Sequence, residues 1–297
     1  RGTRERHRAG TLPAMTHTSP LLTDDALEAL RVPPGGTPDL AGRDARDDLG
    51  LPGKDEVRAP LEAQAERLGA EQLHLLAERR RSLLLVLQGM DTSGKDGTIK
   101  HVLGGLNPIG VHIAAFSRPT EPELAHDYLW RIHAACPPRG RVGVFNRSHY
   151  EDVVTVRVLG LVDDDVVARR IEHIRAFERM LTDEGTTVVK CFLHISRDEQ
   201  RERLMERITD PDKSWKFDAA DLKARASWDA YQGAYEHAMT ATSTDHAPWY
   251  VVPADRKWVR NVVVSTLLLR TLERMAPRVP PPAPELLQLR ELLEGAG

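Results

Sequence analysis

Only two of the 297 residues are cysteines, Cys136 and Cys191, and they stand far apart with no CxxC spacing. That excludes a disulfide-built secreted scaffold and argues against a structural zinc site. No apolar run comes near the roughly 18 residues needed to span a bilayer; the longest candidate, Val262 to Leu269, contains Ser265. The twelve histidines show no metal-ligand spacing, aromatic residues make up 5%, and no internal repeat is visible. Excess charge is missing too: 41 Lys and Arg against 44 Asp and Glu give a formal −3. Such a balance argues against a polyanionic partner until it is split by position. Between Arg79 and His149 stand ten Lys and Arg against five Asp and Glu, a local +5 that leaves −8 for the remainder. A basic stretch in an acidic chain is where an anion would be drawn.

What is present is 41% hydrophobic sequence, enough for one large α/β domain or two small ones. Residues 1–14 carry four arginines and one glutamate with no apolar core. They read as a leader or an over-extended start, with Met15 the expected first residue. Residues 1–58 together, rich in Pro, Gly and Asp, predict an irregular arm. Residues 277–297 predict a Pro-rich tail ending in a short amphipathic helix, Leu286 to Leu293. Between them, 59–276 alternates apolar runs with helical patterns. Strands are expected at 82–88, 111–116, 142–145, 186–195 and 249–253. Helices are expected at 95–104, 121–135, 165–184, 197–208, 218–241 and 255–275. A further helix, 61–77, would bury Leu61, Ala65, Leu68, Leu73, Leu76 and Ala77. This order predicts a parallel sheet of about five strands covered on both faces, a three-layer α/β/α domain with ligands at the carboxyl ends of its strands. The helices at 61–77 and 255–275 are apolar enough to cover a partner surface, so a homo-oligomer is expected.

After the first strand comes Gly89-Met90-Asp91-Thr92-Ser93-Gly94-Lys95, a GxxxxGK pattern between strand and helix. Its glycines let backbone N–H groups curl around phosphate oxygens, the helix N-terminus adds positive potential, and Lys95 reaches the terminal phosphates. The alternative is a glycine turn with a surface lysine. The next residue is Asp96 rather than the Ser or Thr that usually holds Mg²⁺, and Thr98 lies two further on. A carboxylate inside a phosphate loop repels phosphate unless a cation lies between, so Asp91 is the candidate Mg²⁺ ligand, with an Asx-type turn as the alternative.

The third strand exits into Asn146-Arg147-Ser148-His149-Tyr150-Glu151-Asp152. Arg147 could offset charge on a transferring phosphoryl group and Asn146 could orient a metal-bound water or phosphate. Ser148 with Glu151 also fits a capping box. Arg118, after the second strand, is either a phosphate clamp or a surface arginine. The proline-broken segment from Arg203 to Phe217, with Arg207, Lys213 and Lys216 among carboxylates, reads as a lid or as a solvated connection. Asp163, Asp164 and Asp165 read as the acidic start of a helix.

LLLVLQGMDTSGKDGTIKHV (83–102), FNRSHYEDV (145–153), DPDKSWKF (210–217) and WYVVPADRKWVRNVVVS (249–265) together resemble the family-2 polyphosphate kinases, over about Leu61 to Met275. The resemblance implies a phosphate-loop kinase fold similar to thymidylate kinase, with a helical lid at about 203–226. It implies phosphoryl transfer between inorganic polyphosphate and AMP, ADP or ATP, with Mg²⁺ or Mn²⁺. Asp91, Lys95, Asn146, Arg147 and Arg207 are then the expected catalytic residues. Gly89, Ser93, Gly94, Asp96, Gly97, Thr98, Lys100, Arg118, Lys213 and Lys216 are expected on the phosphates, and Arg147, Tyr150 and Glu151 on the nucleotide. The form of 145–152 is similar to the subgroup that phosphorylates both AMP and ADP, although many relatives carry Asp where Asn146 stands. A polyanionic substrate also accounts for the basic stretch, with Arg79, Arg80, Arg81, Lys100, Arg118, Arg131, Arg139 and Arg141 as candidates for its channel, about half of them real.

Three functions are weighed. A polyphosphate-dependent nucleotide kinase leads, ahead of an ATP-dependent nucleoside monophosphate kinase of the same fold and a non-catalytic polyphosphate or nucleotide binder. Nucleic acid is not an expected partner, because no stacking aromatics interleave the basic stretch. No membrane partner is expected, and the expected location is cytoplasmic.

Overall fold

In the computed structural model, which describes residues 21–295, every residue of SLLLVLQ is buried, so the segment is continuously apolar rather than alternating. The expectation for residues 1–14 lies outside the described residues. Six strands form one sheet: β1 Arg31–Val32, β2 Ser82–Gln88, β3 Val111–Ala115, β4 Val142–Asn146, β5 Thr186–His194 and β6 Trp249–Pro253. Their spatial order is β1-β6-β5-β2-β4-β3. The five strands expected from sequence pair in parallel. The sixth, β1, joins β6 antiparallel, Arg31 opposite Tyr250 and Val32 opposite Trp249. Two residues are too short to show any period.

The helices are α1 Asp24–Leu30, α2 Arg58–Glu78, α3 Lys95–Val102, α4 Glu121–Leu124, α5 Trp130–Ala134, α6 Thr155–Val158, α7 Asp164–Asp183, α8 Arg197–Thr209, α9 Ala219–Ala226, α10 Trp228–Thr242, α11 Lys257–Met275 and α12 Pro284–Gly295. The expected helix at 121–135 is broken in two where Asp127 turns its side chain onto the Leu129 N–H. The one at 218–241 is broken at Ser227. Asp163 does cap α7, accepting from the Val166 N–H. Trp249 and Tyr250 are buried in the core, and Trp258 packs against it.

Three expectations change. The arm is irregular only in part: besides α1 and β1, it docks Leu22, Leu27, Leu30, Val32 and Leu40 into the core. Its loops are tied down by backbone bonds such as Asp255 N–H to Ala45 C=O. The buried face of α2 is Gln64, Leu68, Gln72 and Leu75, while Leu73 is exposed. Both glutamines are satisfied: Gln64 donates to Ser265 and Thr266 of α11, and Gln72 exchanges hydrogen bonds with the Asn107 backbone. Truncating Leu75 in this contact would cost about 2–5 kcal/mol. The helices α2 and α11 pack on each other, so part of the apolar surface expected to cover a partner is buried within the chain.

The basic stretch also divides. Arg79, Arg80 and Arg81 precede β2, and Arg139 and Arg141 precede β4, so these five sit at the amino-terminal rim of the sheet. Seven residues of strand, about 20 Å, separate that rim from the GxxxxGK loop. There Arg81 bonds Glu78 and the Met275 carbonyl, and Arg139 lies 3.8 Å from Glu184.

Candidate active site

Leu87 is in register with Asn146, and Asn146 with Ala115, so the exits of β2, β4 and β3 lie side by side. The chain leaves β2 toward β3 and β4 on one side and later returns to β5 on the other. The GxxxxGK loop and the segment after β4 therefore meet at a topological switch point, where ligands of open α/β sheets bind.

The first loop is shaped by its backbone. Gly89 and Gly94 have φ of 147° and 101°, which side chains rarely allow, and a Cβ on Gly94 would overlap the Arg260 guanidinium. Gly97, one turn into α3, also faces Arg260. Lys95 opens α3, and its ammonium donates to the Gly89 carbonyl at 2.8 Å. Burial, and then the neighbouring Arg147 charge, lower its pKa to about 8, against the pull of Asp91, Glu151 and Asp96. The hydroxyls of Thr92 and Ser93 are buried with no hydrogen-bond partner among the described residues. Buried hydroxyls rarely stay unpaired, and phosphate oxygens would satisfy them. Thr98 donates instead to the Gly94 carbonyl, so its hydroxyl is tied to the helix backbone.

The second loop presents charge. Arg147 adopts a left-handed φ of 63°, unusual for a residue with a Cβ, and its N–H donates to the Leu87 carbonyl. Its guanidinium donates to Asp91 Oδ1 at 3.0 Å. Asn146 donates to Asp96 Oδ1 at 2.7 Å, a second link between the loops. Ser148 caps the following turn by accepting from the Tyr150 N–H, but Glu151 does not complete a capping box; it accepts from Thr155 at 2.6 Å. Tyr150 departs from expectation. It is buried behind the loop, bonded to Glu178 and Lys190, and is out of reach of a nucleotide.

On the lid side, Arg207 donates to Asp221 Oδ2 of α9 at 3.1 Å. Burial, and then repulsion from Asp91, raise the Asp221 pKa above the ordinary carboxylate value. Lys213 is held by Glu206 and Asp210, at 2.6 and 2.8 Å. The side chain of Lys216 lies outside the described residues. Lys100 on α3 and Arg118 after β3 are both exposed. Arg131 is buried and donates to the Ser117 carbonyl, which makes it a support for the Arg118 loop rather than a channel residue.

Four residues of the site's surroundings escaped the sequence reading. Arg203 bonds the Thr92, Ser93, Ala254 and Asp255 carbonyls, clamping the first loop to the exit of β6. Arg260 lies buried beside it, its pKa lowered to about 10 by burial and by Arg203. Gln200 donates to the Asp91 carbonyl. Asp221 accepts from Arg207. The sequence signal for Arg260 was a cation in an otherwise apolar helix, whereas Gln200, Arg203 and Asp221 stand in polar helices that gave none. No group of three or more His, Cys, Asp or Glu able to hold a metal exists among the described residues. The Asp91 carboxylate suits a hard cation that takes its remaining ligands from water and phosphate.

The model of the polyphosphate kinase 2 family matches residues 52–280. An AMP/ADP-polyphosphate phosphotransferase of Meiothermus ruber is 52% identical over 259 residues, covering 86% of this chain and 96% of the relative. An ADP-polyphosphate phosphotransferase of Rhodopseudomonas palustris is 42% identical, covering 89% and 96%. The crystal structure of polyphosphate kinase 2 from Arthrobacter aurescens superimposes with a TM-score of 0.86 at 44% identity, covering 91% of this chain and 96% of that one.

Proposed function

This chain belongs to the polyphosphate kinase 2 family, and from that premise we propose that it transfers a phosphoryl group between inorganic polyphosphate and AMP or ADP, reversibly and with Mg²⁺. The observation that carries the reading is the contact between the two loops, Arg147 to Asp91 at 3.0 Å beside Lys95. It brings two cations and a carboxylate together at one switch point.

In this reading the N–H groups of 89–95, with Ser93 and Gly97 alongside, cradle the phosphates, while Asp96 and Thr98 shape the start of α3. Lys95, Arg147 and Arg207 offset charge on the transferring phosphoryl group, a role worth several kcal/mol of barrier in a site that excludes water. Asp91 would hold Mg²⁺, which when bound neutralises phosphate oxygens. Asn146 fixes Asp96 and so the spacing of the loops. Glu151 faces the nucleotide, and Lys100, Arg118, Lys213 and Lys216 draw the polyphosphate. For Arg207 and Lys213 to act, phosphate must replace Asp221, Glu206 and Asp210 as their partner, which suits a lid that closes on substrate. A homo-oligomer belongs to the proposal, with sedimentation as its check.

Purified protein incubated with Mg²⁺, polyphosphate and AMP should form ADP and then ATP. The same mixture with ATP replacing polyphosphate should not phosphorylate AMP at a comparable rate. Turnover that needs no polyphosphate would sink the reading.

A further inference from the structure

Lys190 is a lysine in the middle of an apolar strand, with no exposed surface at all. Its ammonium donates to Glu178 Oε2 of α7 at 2.5 Å, to the Tyr150 hydroxyl at 2.9 Å and to the Thr242 carbonyl at 2.8 Å. The Tyr150 hydroxyl in turn donates to Glu178 Oε1 at 2.8 Å. His149 Nε2 lies 3.3 Å from that same oxygen. Trp249 packs edge-on against the Tyr150 ring and places its N–H on Thr242. Burial opposes the Glu178 charge, yet Lys190 holds its carboxyl below the usual range, while burial lowers the Lys190 pKa against the pull of Glu178. An ion pair removed from water in this way is weak evidence for stability, since apolar residues of similar volume often serve as well or better.

Its partners identify the task. Tyr150 and His149 belong to the turn that directly follows Arg147, and Glu151 is the next residue. On its strand side Arg147 is fixed by β4 and by the bond to Leu87. On its far side the chain passes through Ser148, 3.0 Å from the Gln88 amide, into the buried Tyr150. A left-handed φ at a residue with a Cβ persists only where the surroundings over-determine it. Two clamps, one on each side of Arg147, do that here.

We infer that the buried Lys190–Glu178–Tyr150 set consists of positioning residues for phosphoryl transfer, holding the 147–151 turn so that Arg147 and Glu151 face the first loop. The inference rests on the proposed role of Arg147, and it is tested by uncoupling rate from stability. In the double variant Lys190→Met/Glu178→Met, the melting temperature should stay level or rise while kcat falls between about tenfold and a hundredfold, with KM for polyphosphate little changed. Parental kcat in this folded variant overturns the inference. Should the double variant fail to fold, Tyr150→Phe, which keeps the ring and the ion pair, decides: about tenfold lower kcat supports the inference and an unchanged kcat overturns it. In an Arg147→Ala background Tyr150→Phe should change the residual rate by less than about twofold, because both act through one group. A full further loss there would mean Tyr150 acts elsewhere and overturns the inference as well. A parent protein that turns over neither AMP nor ADP with polyphosphate refutes the functional reading instead, so the two failures are distinguishable.

Discussion

Residues 89–95 take their shape mainly from their own backbone, with glycines at φ values closed to most side chains, a helix beginning at Lys95 and a lysine returned onto the Gly89 carbonyl. Arg203 and Gln200 of α8 tie the loop's carbonyls down from outside. Residues 146–152, one strand away, have no glycine. They are held by side chains from β5, α7 and α10, through Lys190, Glu178 and Thr242, far apart in sequence. The first loop is in the main a local solution to binding an anion, fastened from outside at its carbonyls. The second is a tertiary solution to aiming an arginine. The lesson is that two loops serving one site can fail in different ways, the first by a change of backbone and the second by a change in the core.

The largest effect should come from the first loop. Lys95→Ala should lower kcat by roughly a thousandfold in a steady-state transfer assay while the thermal unfolding midpoint moves little. Gly94→Ala should be nearly as damaging, because a side chain there meets both a forbidden φ and Arg260. Adding Arg260→Ala should not restore activity, since it relieves only the overlap; recovery would show that backbone conformation is not what builds this loop. In the second loop Arg147→Lys keeps the charge but loses the planar fork, and about a hundredfold in kcat should go with it.

A pH profile joins the two loops. Charged Lys95 is the form that binds phosphate, and its pKa is lowered to about 8 by burial and by Arg147. In the free enzyme kcat/KM should therefore fall as pH rises through about 8. Arg147→Met removes the second cause and should move that fall to higher pH. A profile that does not move would separate the loops electrostatically. The smallest effects should be at the far rim: Arg80→Ala and Arg139→Ala should leave KM for polyphosphate within about 1.5-fold, whereas Lys100→Ala and Arg118→Ala should raise it and flatten its salt dependence.

Much of this was legible in the residues. The five parallel strands, the helix after Lys95 and the switch-point loops all followed from apolar runs and punctuation, because their signals are local. What was not legible was long-range. The two-residue β1 is defined only by its partner. Tyr150 looked like a nucleotide contact because it stands in a polar motif, but a residue beside a site can face either way, and Lys190 and Glu178 draw it inward. Asp221 was one carboxylate among many until α9 brought it onto Arg207.

The opening charge balance marks the boundary best. Sequence alone determined that a +5 stretch surrounds both motifs, since charge is additive along the chain. Only the tertiary structure decided which of those charges share a surface. Strand direction sends residues before β2 and β4 to one rim and residues after them to the other, and in a solvent that screens charge within about 10 Å, cations on opposite rims cannot act as one channel.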